Sequence, residues 1–174
     1  MLFRSLIEAF AKLGADNPAR LVIVGDGIVR PQLQSLAQKL GVADRTEFRG
    51  FTEPADVPLW YAVADVMVLP SVGETWSVAV LEALASGLPV VTTDTVGAAV
   101  DAIKDPAVGT VVPTGNVSGL TAAIAARLAD GTGRDRVPSA WGGTREQFRY
   151  EVLSRRVVDA IRNTIGRPEL PNAG

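Results

Sequence analysis

Five short β-rich runs alternate with stretches of helical periodicity, a pattern that few architectures can bury. The runs are Leu21-Val-Ile-Val-Gly25, Thr46-Glu-Phe-Arg-Gly50, Val66-Met-Val-Leu-Pro70, Pro89-Val-Val-Thr-Thr93 and Gly109-Thr-Val-Val-Pro113, each closed by glycine, proline or polar residues. Strands this short and this apolar are covered on both faces, as in parallel sheets. Helical patterns occupy 2–13, 30–40, 57–64, 77–86, 96–103 and 117–128. The alternation predicts a Rossmann-like, doubly wound parallel α/β sheet over residues 1–130.

The front of the chain conflicts with the usual order. In a doubly wound sheet of order 3-2-1-4-5-6 the first strand is central, yet this chain opens on a helical pattern. Either the topology differs or a first strand is missing. Behind the sheet, residues 131–143 are rich in Gly, Arg and Pro and are expected to form a loop. Thr144-Arg-Glu-Gln147 has the form of a capping box, predicting a helix over 144–166 that stops at Gly166 and Pro168. Its stripe of Phe148, Val152, Val158, Ile161 and Ile165 is expected to pack on the same domain or to dock a missing N-terminal domain.

At 174 residues and 47% hydrophobic content, the chain can bury one substantial core. It has no cysteine and no histidine, which excludes thiol nucleophiles, zinc-finger ligation and Ser-His-Asp triads. The net charge of -2 and pI near 5.2 argue against nucleic acid as a partner. No apolar run approaches the roughly 20 residues that span a bilayer, and the N-terminus lacks a signal-peptide order, so a soluble cytoplasmic protein is expected. Charge is unevenly placed. No Lys or Arg occurs from Phe51 to Ile103, whereas nine of the 17 basic residues fall from Arg127 onward. A phosphorylated ligand near the middle of the chain would need backbone amides or cations brought from elsewhere.

Two glutamates stand out in that middle stretch. Glu82 is flanked by Val78, Ala79, Val80, Leu81, Ala83, Leu84 and Ala85, a helix without a polar stripe, and is therefore expected to be enclosed by protein. An enclosed carboxylate needs donors. Ligand hydroxyls, a buried backbone amide or an arginine could each supply them. Glu74 precedes the same helix and is either an exposed loop residue or a ligand contact. Earlier, Gly25-Asp26-Gly27 follows a strand as a dinucleotide-binding turn does, but Arg30 stands where the third glycine would be, so a plain tight turn fits better than a NAD site.

Taken in order, Leu-Val-Ile-Val-Gly25-Asp26-Gly27, Phe48-Arg-Gly50-Phe51, Ala64-Asp65-Val66-Met-Val-Leu-Pro70-Ser71, Glu74 with Glu82, Glu82-Ala-Leu-Ala-Ser-Gly87-Leu-Pro-Val-Val91 and Gly109-Thr-Val-Val-Pro-Thr-Gly115 resemble the C-terminal, donor-binding half of GT-B fold glycosyltransferases of family 4, the glycosyl transferases group 1. The resemblance covers residues 2–128. It implies hexosyltransferase-like retaining transfer from a UDP- or GDP-sugar to a glycan, lipid or small-molecule acceptor, with no metal or other cofactor. The nucleotide-sugar would be the substrate bound here, and the acceptor would belong to a missing N-terminal domain, through which alone any peripheral membrane association would arise.

On that resemblance Glu74 is the catalytic-site carboxylate that meets the donor sugar. Glu82 accepts the ribose hydroxyls, and Gly25, Asp26, Gly27, Thr75, Trp76, Ser77 and Val78 contribute to donor binding. Helix physics agrees for the loop, since free amides and the positive dipole end of a helix N-terminus favour a phosphate. The chain departs from the family at Ser77, which replaces a glycine that approaches the donor, and at Val96-Gly97-Ala98, which keeps one glycine of a usual pair. The family's diphosphate-clamping arginine and lysine precede the helix matched by residues 2–13. Their absence implies a truncated domain, inactive alone. The alternative is a non-catalytic, stand-alone nucleotide-sugar-binding or protein-interaction module.

Overall fold

The structure, a computed structural model, describes residues 2–131 and 133–149 together with 151, 152, 154, 155, 158 and 159. Among the described residues, helices and strands alternate in the expected order through α1 (Leu2–Ala11), β1 (Leu21–Val24), α2 (Arg30–Lys39), β2 (Thr46–Gly50), α3 (Val57–Val63), β3 (Met67–Leu69), α4 (Val78–Ala85), β4 (Val90–Thr93), α5 (Gly97–Ala102), β5 (Gly109–Val112) and α6 (Val117–Ala129), and a further helix, α7 (Gly133–Arg145), follows α6 directly. Each strand lies within a residue of its predicted bounds. All strand pairs are parallel, and the fold is the Rossmann-like α/β arrangement that the alternation predicts.

The helix ends follow local chemistry. Asn116 caps α6 by accepting the Gly119 amide at 2.8 Å. α4 closes in a Schellman motif: Leu88 N–H donates to Ala83 O at 2.9 Å and Gly87 N–H to Leu84 O at 3.0 Å, with Gly87 at φ 72° and Pro89 barring continuation. That stop delivers the chain directly into β4, whose four residues are all buried.

Helices cover both faces of the strands. On one face, Leu6 and Ala9 of α1 pack with Leu120, Ala123 and Ile124 of α6 over Val91 and Val112. On the adjoining side of α1, Ile7 and Phe10 pack with Leu33 and Ala37 of α2 over Ile23. On the other face, α4, α5 and α7 enclose Val80, Leu84, Val90, Val96, Val137 and Trp141. The strands form two hydrogen-bonded sheets, β1–β2 and β3–β4–β5. Among the described residues no helix is long and apolar enough to cross a membrane.

Two expectations for the C-terminal region are corrected. The stretch 131–143 is not a loop, because α7 occupies Gly133–Arg145. Val137 and Trp141, four residues apart, are 0% and 4% exposed and anchor one face of it, despite Pro138 inside the helix. Thr144 consequently lies in the last turn of α7 and starts no new helix, and Glu146–Phe148 is a short 3-10 turn. Residues 151, 152, 154, 155, 158 and 159 are helical, and Phe148 packs against the α4–α5–α7 cluster. The remainder of the expected 144–166 helix, including Ile161 and Ile165, lies outside the described residues.

Candidate functional site

Three loops leave the C-terminal ends of β3, β4 and β5, the edge at which open α/β sheets bind ligands. Hydrogen bonds tie them together. The Ser71 carbonyl accepts from the hydroxyls of Thr93 and, at 2.8 Å, Thr95. Glu74 forms a parallel bridge with Val96: its N–H donates to Thr95 O at 3.3 Å and its carbonyl accepts from Gly97 N at 3.1 Å. The Thr95 and Thr114 hydroxyls lie 3.0 Å apart, and Asp94 accepts from the Thr114 amide at 2.9 Å and hydroxyl at 2.7 Å. Those bonds from Thr114 hold the Asp94 carboxyl below the usual carboxylate range. The tie therefore persists as pH falls until that lowered pKa is crossed.

The backbone of Glu74 is thus fixed while its side chain is left available. No described residue donates to its carboxylate, which is only partly buried. Immediately behind it, Ser77 is the N-cap residue of α4, with extended φ -164° and ψ 101°, a buried side chain and no capping hydrogen bond. The first amides of a helix have no intrahelical acceptor, so the N-terminus of α4 offers donors and positive dipole to an external anion. Thr75 and Trp76 are exposed beside it. Trp76 meets Phe148 with ring centroids 6.0 Å apart at 57°, a packing contact that leaves 39% of the residue exposed.

Glu82 contradicts the expectation of an enclosed carboxylate, since it is exposed. α4 buries Val80, Ala83 and Leu84, but its outer side carries the exposed Val78 and Ala85 together with Glu82. The helix lacks a polar stripe because that outward side is itself largely apolar. Glu82 accepts one hydrogen bond, from the Tyr61 hydroxyl at 3.2 Å, and among the described residues no cation pairs with it. It lines a cavity of 310 Å³ with Leu81, Trp141, Arg145, Phe148 and Arg149. Trp141 Nε1 is buried without an acceptor among the described residues.

Burial, then the charge of Glu82, then their hydrogen bond push the Tyr61 hydroxyl up to about 12. A raised pKa favours the protonated phenol in the folded chain, so this contribution is whole below the ordinary tyrosine range and is lost as pH climbs through the raised value. Tyrosinate absorbance from Tyr61 is expected to appear only near pH 12, and Glu82→Gln to bring it down. An unchanged titration in that variant would rule out the contact.

Gly25, Asp26 and Gly27 belong to the other sheet and form a structural turn. Gly25 N–H donates to Gly50 O at 2.8 Å. Both Asp26 oxygens are engaged, one by Gly27 N at 2.8 Å and one by Arg30 at 3.1 Å, and Arg30 also donates to Phe48 O at 2.9 Å. Arg30, standing in place of the third glycine, closes the turn. A larger cavity of 770 Å³ lies between β2 and α3, lined by Phe48, Arg49, Phe51, Leu59, Trp60 and Val63, with the Arg49 guanidinium 4.8 Å from the Trp60 ring centroid. Neither Glu74 nor Glu82 lines it.

Sequence reasoning missed Tyr61, the Thr95–Thr114–Asp94 tie and the arginines beside Glu82. The clustering of basic residues after Arg127 was the signal for the last of these, because α7 and the turn after it bring Arg145 and Arg149 to the glutamate helix.

Comparison with known proteins agrees with this reading of the fold. The family described as glycosyl transferases group 1 matches residues 3–141. An uncharacterized glycosyltransferase of Methanocaldococcus jannaschii is 36% identical over 154 residues, covering 88% of this chain and 35% of its own. A GDP-mannose-dependent alpha-(1-6)-phosphatidylinositol monomannoside mannosyltransferase of Mycobacterium tuberculosis is 33% identical over 155 residues, covering 83% and 39%. Among solved structures, Anabaena HepE in complex with UDP superposes with a TM-score of 0.76 at 23% identity, over 91% of this chain and 44% of that one. The chain therefore spans less than half the length of these relatives. On the family match and the identity to these relatives, the chain belongs to the glycosyl transferases group 1 family.

Proposed function

We propose that this chain is the donor-binding part of a retaining, hexosyltransferase-like glycosyltransferase that uses a UDP- or GDP-sugar without a metal. The observation that carries the proposal is the uncapped N-terminus of α4, preceded in the chain by Glu74, whose carboxylate has no described donor, and followed one turn into the helix by Glu82, whose carboxylate accepts from a single described hydroxyl. The amides of Thr75 to Val78 receive the β-phosphate, Glu82 accepts the ribose hydroxyls, and Glu74 meets the donor sugar. A vicinal diol satisfies a carboxylate well, since each hydroxyl donates to one oxygen. Arg145 contributes positive charge next to Glu82, in a region whose own segment has none, while Arg149 beside it is offset by Glu146 at 3.3 Å and Glu151 at 3.7 Å.

As the glycosidic bond breaks, charge develops on the leaving diphosphate, where fixed amides and a helix dipole act without reorganising. Acceptor binding, and with it turnover, belongs to a further domain, so the isolated chain binds donor weakly and does not transfer sugar. Isothermal titration with UDP- and GDP-sugars tests donor binding. Glu82→Gln is expected to weaken it roughly ten- to hundredfold, the equivalent of about 1.5–3 kcal/mol for hydrogen bonds to a charged group. Equal affinity in the variant would refute the ribose assignment. The open strand edges of the two sheets favour a second reading, a non-catalytic interaction module, which would take a protein partner and show no donor binding.

A further inference from the structure

α3 has no fully buried residue, and its Tyr61 packs, partly buried, against the core that α4, α5 and α7 enclose. From that anchored ring the hydroxyl reaches a different helix, donating to Glu82 Oε2 at 3.2 Å across 21 positions of sequence. The other side of the contact is anchored as well, because α4 is held by the buried Val80, Ala83 and Leu84. A side chain of one helix is thus tied to a fixed point on another.

Glu82 is exposed, and an exposed glutamate without a tie samples several rotamers. Tyr61 is its one described side-chain donor, and no described residue donates to Oε1. An ionised carboxylate has about four acceptor sites, so the phenol restricts the side chain while occupying only one of them. Tyr61 does not line the 310 Å³ cavity that Glu82 borders, so its influence on a ligand there passes through Glu82. Burial, then the charge of Glu82, push the phenol up to about 12, and it stays a protonated donor at neutral pH.

We propose that Tyr61 is a positioning residue for donor recognition: by donating to Oε2 it holds the Glu82 carboxylate in one orientation and leaves Oε1 to a hydroxyl of the ligand's vicinal diol. The role rests on the reading of Glu82 as the ribose acceptor. Preorganising a side chain strengthens binding by removing an ordering step that the ligand would otherwise impose. A ligand without the diol imposes none on Glu82, so Tyr61 favours only ligands that carry it. Support of the fold alone would favour both kinds equally.

NMR titration with UDP and with 2′,3′-dideoxyuridine diphosphate tests the role. Tyr61→Phe, which keeps the ring in the core, is expected to weaken UDP roughly three- to tenfold and to leave the dideoxy compound unchanged within about twofold. In a Glu82→Ala background the same change is expected to be silent for both. With 3-fluorotyrosine at position 61 of the otherwise unaltered chain, the fluorine resonance is expected to move on addition of UDP and not of the dideoxy compound. Equal weakening of both diphosphates by Tyr61→Phe, weakening of neither, an effect that survives in Glu82→Ala, or a fluorine shift that is the same with both would overturn the positioning role and leave the ribose assignment standing. Glu82→Ala is expected to abolish the preference for UDP over the dideoxy compound. A preference that survives that change would refute the ribose assignment, and the role of Tyr61 with it.

Discussion

Gly97→Ala is expected to destabilise the chain by about 2–4 kcal/mol, measured by urea denaturation, and to weaken donor binding with it. A Cβ on Gly97 would stand 2.2 Å from Thr75 O and 3.1 Å from Thr75 C. Those are backbone atoms, so no rotamer change relieves the clash. The 94–97 segment would have to withdraw from the glutamate loop, stretching the 3.1 Å bond from Gly97 N to Glu74 O and the 3.3 Å bond from Glu74 N to Thr95 O. Overpacking of this kind typically costs about 1–3 kcal/mol, and each lost hydrogen bond about 1 more. Gly97 has no positive φ, so the effect comes from close approach and not from glycine's backbone freedom. Gly27→Ala is the control. Nothing lies within 4 Å of its added Cβ, and the change should stay within about 0.5 kcal/mol. Equal effects from the two substitutions would mean that the loop contact does not hold the site.

Leu84→Ala is expected to cost about 2–5 kcal/mol by the same measurement, with its size depending on how far the site collapses. Leu84 is 1% exposed and packs among Val90, Val96, Val108 and Trp141. α4 has only eight residues, and Val80, Ala83 and Leu84 are the ones it buries, so a cavity under Leu84 loosens the whole helix. The functional consequence follows from position. α4 carries its free first amides at one end and Glu82 one turn later, so its shift should also relax the 3.2 Å Tyr61–Glu82 contact and lower the Tyr61 titration from about 12. Val78→Ala, on the exposed side of the same helix, should change stability by no more than about 0.5 kcal/mol.

These sites differ in how far they were visible in the sequence. The five strands were legible because each is a short β-rich run closed by glycine, proline or polar residues, and Gly87-Leu88-Pro89 marked the stop of α4 just as clearly. Glu82 was misplaced because valine and alanine look equally apolar in and out of the core. Ala83 is buried and Ala85 exposed on one helix, and no local residue distinguishes them. α7 was hidden by its Gly, Arg and Pro content, which outweighed the two anchors Val137 and Trp141. Their burial comes from tertiary packing on α4 and α5, a term that local propensity does not contain. The tie of Asp94, Thr95 and Thr114 joins residues about twenty positions apart through single hydroxyls, and isolated polar residues at strand ends carry no pattern of their own.

The central claim is that a nucleotide diphosphate sits on the N-terminus of α4 between the two glutamates. Backbone-amide NMR during titration with UDP, repeated on Glu82→Gln, tests it most directly. Shifts concentrated at Thr75, Trp76, Val78, Ala79 and Glu82 in the wild type, and much reduced in the variant, are the expected result. Shifts confined to Phe48, Arg49, Phe51 and Leu59, around the larger cavity between β2 and α3, with the amides of Thr75 to Ala79 unmoved, would contradict it.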